Sequence, residues 1–80
     1  MSSWPADAPR DRVIRALASL GYEVVRSGNH ISLARDAPGG TISTMTLPNH
    51  RTIKGATLHR ACSLAGIDRQ VFLRAYSAAR

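Results

Sequence analysis

Three short runs, YEVVRS, HISLAR and TISTMTLP, all rich in β-branched residues, are separated only by GN and DAPGG. Each run reads as a strand and each break as a turn. Parallel neighbours need a crossover of a dozen residues or more, so connections this short leave only an antiparallel meander. Side chains alternate across a strand, and the pairing register therefore decides which of them face a core. Folding the second and third runs around Pro38 sets Ile31 opposite Met45 and Leu33 opposite Ser43 on one mostly apolar face. The opposite face then carries His30 across from Thr46 and Ser32 across from Thr44. Closing the first turn as a three-residue loop, Ser27-Gly28-Asn29, pairs Val25 with Ile31 and Arg26 with His30. Arg26, His30 and Thr46 are thus expected in one row across the open face, with Glu23 turned inward beside Leu33.

The apolar face needs a cover, and helical periodicity on both sides of the meander supplies it. Between Ala8 and Leu20, Val13, Ala16, Leu17 and Leu20 recur at helical spacing, with Asp7 as N-cap, Pro9 in the first turn and Gly21 as terminator. After Pro48, the basic connection NHRTIKG leads into a second helix from Gly55 to Leu64, whose Leu58, Ala61, Cys62 and Ala65 share a face. Gly66 stops that helix, and Asp68 caps a third that packs through Phe72, Leu73 and Tyr76. The expected fold is α+β in the order α-β-β-β-α-α, with the helices on one face of a three-stranded antiparallel sheet. Eighty residues hold one such domain, residues 7–80, behind a flexible arm of residues 1–6 in which Trp4 either packs locally, the favoured reading, or serves as a docking aromatic.

Composition narrows the partners. Eleven Lys and Arg against five Asp and Glu give a formal charge of +6, which suits a polyanion or an acidic protein. All but one of the cations are Arg, whose planar fork matches phosphate. Cys62 is the only cysteine, so a disulfide within the chain is excluded and a reducing compartment is expected. Ligand spacings for zinc are absent, and no cofactor is expected. The chain has no apolar run of membrane-spanning or signal-peptide type, so a cytoplasmic location without membrane contact is expected. Too few acids are present to compose a Ser-His-Asp set or a carboxylate pair, which argues against protease and glycosidase chemistry.

What remains is His30. Histidine titrates near neutral pH and can take a proton from a nucleophile or give one to a leaving group. RNA brings its own nucleophile, because a deprotonated 2′-hydroxyl attacks the adjacent phosphorus without a metal. An arginine at Arg26 would stabilise charge building on the phosphoryl oxygens. The residues alone favour a solvated strand histidine with no role, since lone histidines at strand starts are ordinary. His50, Arg51, Lys54 and Gly55 lead into the second helix, where exposed N–H groups and the helix dipole attract phosphate and Gly55 would permit its close approach. A plain solvated loop fits the same residues. His59 and Ser63 read as surface residues, and Cys62 as core filler.

The runs VIRALASLGYEVVRSGNHISL and ISTMTLPNHRTIKGATLHRACSLAGIDRQVFL resemble the HicA family of small bacterial toxins, most specifically in the GNH turn, the LPNH strand end and the KGATL...AGI helix. The resemblance implies a fold similar to double-stranded-RNA-binding domains and a metal-independent ribonuclease that cleaves mRNA. It also implies that His30 is the catalytic histidine, presented by the turn of Gly28 and Asn29. The family's partner is a HicB-type antitoxin that masks the histidine, and contact with DNA would come only through that antitoxin. Relatives commonly have Ser where this chain has Asn29, and Asn suits the tight turn equally. Two further readings remain: a non-catalytic module that recognises A-form RNA by shape, and a protein-interaction domain with a basic face.

Overall fold

A computed structural model describes residues 3–79; Met1, Ser2 and Arg80 lie outside the described residues. In chain order the elements are β1 (Asp7–Pro9), α1 (Arg10–Ser19), β2 (Glu23–Ser27), β3 (His30–Asp36), β4 (Ile42–Pro48), β5 (Thr52–Lys54), α2 (Gly55–Ala65) and α3 (Arg69–Ala78). The α+β fold and its α-β-β-β-α-α order are present, and β1 and β5 add a separate two-stranded pairing. The meander forms one antiparallel sheet in the order β2-β3-β4.

The β3–β4 register differs from the expected one by two residues. His30 faces Pro48, Ile31 faces Leu47, Ser32 faces Thr46 and Leu33 faces Met45. The chain reverses one residue later than Pro38, at Gly39 and Gly40, because these glycines adopt φ of 87° and 83° and Ala37 N–H then closes the loop on the Thr41 carbonyl at 2.7 Å. A shift by an even number leaves every side chain on its expected face. Ile31, Leu33, Met45 and Leu47 are buried accordingly, while His30, Thr44 and Thr46 are exposed.

The β2–β3 pairing also differs. Arg26 faces Ser32 rather than His30, and Ser27 rather than Val25 faces Ile31. Between Arg26 and Val24 the register slips, leaving Val25 without a partner and 64% exposed. This bulge removes the misfit in the expected register, since Glu23 now pairs with Ala34 instead of turning inward beside Leu33.

The core lies between the sheet and the helices. Val13, Ala16 and Leu17 of α1, Leu58 and Cys62 of α2, Phe72 of α3 and Tyr22 pack with the buried sheet residues. α1 starts two residues later than the Ala8 onset, and Asp7 is not its cap. Pro9 takes an extended ψ of 129°, so Asp7–Pro9 runs alongside Thr52–Lys54 and sends Ala8 into the core opposite Ile53. Arg10 N–H finds its acceptor across the chain, at the Arg51 carbonyl, 2.8 Å away. Asp68 does cap α3, accepting from Gln70 N–H at 3.0 Å. At the far end of α3, the Arg12 guanidinium donates to the Tyr76 and Ala79 carbonyls and lies 3.9 Å above the Tyr76 ring.

Residues 4–6 run over the start of α2. Trp4 stacks on His59 with ring centroids 5.1 Å apart and lies 5.6 Å from Phe72, and the Ala6 carbonyl accepts Gly55 N–H at 2.9 Å. A Cβ at Gly55 would stand 2.7 Å from the Pro5 carbonyl oxygen, a clash with backbone that only displacement of the segment relieves. Gly55→Ala is therefore expected to lower unfolding free energy by about 1–3 kcal/mol. The measurement is a urea titration, in which the midpoint should fall with the slope unchanged.

Candidate functional site

The open face of the sheet is built by alternation. Along β3, His30, Ser32 and Ala34 point away from the core, and their neighbours are Thr44, Thr46 and Pro48 on β4 and Arg26 on β2. Arg26, Ser32 and Thr46 form one rung. His30 stands one same-face step along β3, about 7 Å from Ser32 by strand geometry, and is diagonal to both Arg26 and Thr46. The expected row of Arg26, His30 and Thr46 is thus replaced by a triangle with His30 at its apex and Ser32 midway along the side from Arg26 to Thr46. All three residues are exposed, so a substrate can reach them from one side.

His30 also has a fixed neighbour in Pro48. Asn49 N–H donates to the Asn29 carbonyl at 3.1 Å, which makes residues 29 and 49 a hydrogen-bonded pair and His30 with Pro48 the narrow pair beside it. Pro48 fits there because, at a narrow pair on an edge strand, its nitrogen faces away from the ladder.

Pro48 joins His30 to the basic strip. A shallow groove is lined by Pro48, His50, Arg51, Thr52, Lys54 and Thr57, bringing together three of the four basic-strip candidates. The fourth, Gly55, is half-buried, with its N–H bonded to Ala6 and its Cα face covered by the Pro5 carbonyl. Its missing side chain serves this close backbone approach, which corrects the expectation that it serves a phosphate. Thr57 continues the groove onto the outer face of α2, toward His59 and Arg60.

Sequence reasoning passed over Asn49, Arg10 and Thr57. Asn49 Nδ2 donates to the Gly28 carbonyl at 2.8 Å, and its Oδ1 accepts from Arg10 Nη1 at 2.8 Å. An amide directly after a strand-ending proline was the available signal. Cys62 is fully buried, and desolvation pushes its thiol up to about 12, which removes it as a nucleophile. Among the described residues no three His, Cys, Asp or Glu side chains gather as metal ligands, and no helix is long and apolar enough to cross a membrane.

Fold and site define a small α+β protein that presents a histidine on an open sheet face beside a cationic groove. The family described as the HicA toxin of bacterial toxin-antitoxin systems matches residues 10–67, and the chain belongs to that family. It is therefore the toxin type of a pair, and the family implies an antitoxin as partner. No curated protein and no solved structure matches the chain.

Gly28 has no positive φ, and a Cβ there would meet nothing within 4 Å. Gly28→Ala is expected to leave stability unchanged or raise it by about 0.4–1 kcal/mol through the unfolded chain. Thermal unfolding of the two proteins under identical conditions checks this.

Proposed function

We propose that this toxin is a metal-independent endoribonuclease that cleaves mRNA, with His30 as its general acid or base. The observation that carries the proposal is the position of His30: exposed on the open face, diagonal to Arg26 and Thr46, and joined through Pro48 to the groove of His50, Arg51 and Lys54. An RNA strand lying along that groove would bring one phosphate to His30, its neighbours being held by the cations. The 2′-oxygen then forms a bond to phosphorus as the bond from phosphorus to the 5′-oxygen breaks. The proton leaves the 2′-hydroxyl and one is delivered to the departing 5′-oxygen; His30 manages one of these transfers and solvent water, which reaches this exposed face, the other. Arg26 faces the charge that builds on the phosphoryl oxygens.

The +6 charge and the arginine excess favour a polyanionic substrate over a neutral one. An antitoxin of HicB type would silence the activity by covering the open face. A module that only binds RNA would use the same cations but would have no need of His30.

The test is incubation of the purified protein with single-stranded RNA in EDTA, beside His30→Ala. Cleavage by the wild type and a loss of about 10²–10⁴-fold in rate for the variant are expected. Equal cleavage by both proteins, or tight salt-sensitive binding with no cleavage by either, would count against the proposal.

A further inference from the structure

We infer that Asn49 is the positioning residue for His30, acting through the Gly28-Asn29 turn; this rests on the reading of His30 as the acid-base group. The favoured two-residue hairpin turns require positive φ at one or both central residues. Neither Gly28 nor Asn29 has it. Within the hairpin tip the one bond beyond the ladder is Gly28 N–H to the His30 carbonyl, at 3.1 Å. The carbonyls of Gly28 and Asn29 both turn out of the hairpin toward Asn49, one to its side-chain Nδ2 at 2.8 Å and the other to its backbone N–H at 3.1 Å. The remaining polar atom of the side chain, Oδ1, takes Arg10 Nη1 at 2.8 Å, and Arg10 is itself fastened by its N–H to the Arg51 carbonyl at 2.8 Å.

One amide thus ties the turn before His30 to the start of α1 and to the strand end after Pro48. Asn is suited to this task because its donor and acceptor lie on opposite arms of one planar group. Asp at the same position keeps the acceptor for Arg10 but places an oxygen against the Gly28 carbonyl. Asn49→Asp therefore separates two roles: a tether to Arg10, which it preserves, and control of the turn, which it destroys.

The experiment compares wild type, Asn49→Ala, Asn49→Asp, His30→Ala and the His30→Ala/Asn49→Ala double variant. Steady-state cleavage of a fluorophore-quencher RNA oligonucleotide in EDTA is read together with amide hydrogen exchange. Both Asn49 variants are expected to lose about tenfold to a hundredfold in kcat from misplacement of the imidazole, with KM within twofold of wild type. In the His30→Ala background Asn49→Ala should cost nothing further. Exchange at the Gly28 and residue-49 amides should quicken at least tenfold in both variants, while amides of the α2 core stay as in wild type. Recovery of wild-type kcat by Asn49→Asp, a loss carried by KM, or unchanged exchange at Gly28 would overturn the inference. If the wild type itself cleaves no RNA, the ribonuclease proposal fails, and the exchange data still decide whether Asn49 holds the turn.

Discussion

The pairing of β3 with β4 is the constraint on which the remainder of the molecule depends. Ile31 and Leu33 lie opposite Leu47 and Met45, and these four side chains form the floor on which Leu58, Cys62 and Phe72 settle. A slip of one residue would set Ile31 and Leu33 opposite the hydroxyl-bearing positions of β4, mixing the two sets so that either the apolar pair of one strand is exposed or the polar side chains of the other are buried without partners. The cost of that mixing locks the register, and the register leaves His30 on the solvent side. Burial on one face is thus the physical reason for access on the other.

A second pairing fixes the ends. β1 and β5 are both short, yet they bring the chain before α1 against the chain before α2, and each helix takes its starting point from this contact. Trp4, stacked on His59 and close to Phe72, covers the adjoining end of the core. The cationic groove lies beside this junction, so its charges are carried by backbone held on one side by β4 and on the other by β5. Fixed backbone at both ends keeps His50, Arg51 and Lys54 in a constant relation to Pro48 and hence to His30. A site made of exposed side chains gains its order from the paired backbone beneath them.

Much of this was legible in the residues, and the misses have physical causes. Strand alternation and helix periodicity depend on local pattern, and they placed Ile31, Leu33, Leu17, Leu58 and Phe72 correctly in the core. The exact cross-strand partners depend on loop geometry: two left-handed glycines at positions 39 and 40 moved the reversal, and a bulge at Val25 moved Arg26 away from His30. Composition gives no warning of either, although the inward Glu23 was a sign of strain in the simple register. Asp7 fitted the cap pattern before a helix, but pairing of Asp7–Pro9 with a strand more than forty residues later outweighed the local preference. The bonds of Asn49 were hidden for the same reason: the residue stands out after a strand-ending proline, but its partners Gly28 and Arg10 are distant in sequence and meet only in the folded chain.

The central claim is that His30 assists attack by the RNA's own 2′-hydroxyl. The most direct test is the chemistry of the ends produced when the protein cuts an RNA oligonucleotide, read by mass spectrometry. The account predicts a 2′,3′-cyclic phosphate on one fragment and a 5′-hydroxyl on the other, with no cut where the nucleotide 5′ to the scissile phosphate is replaced by its 2′-deoxy form. Fragments ending in 3′-hydroxyl and 5′-phosphate, or cutting that persists at the deoxy position, would contradict it.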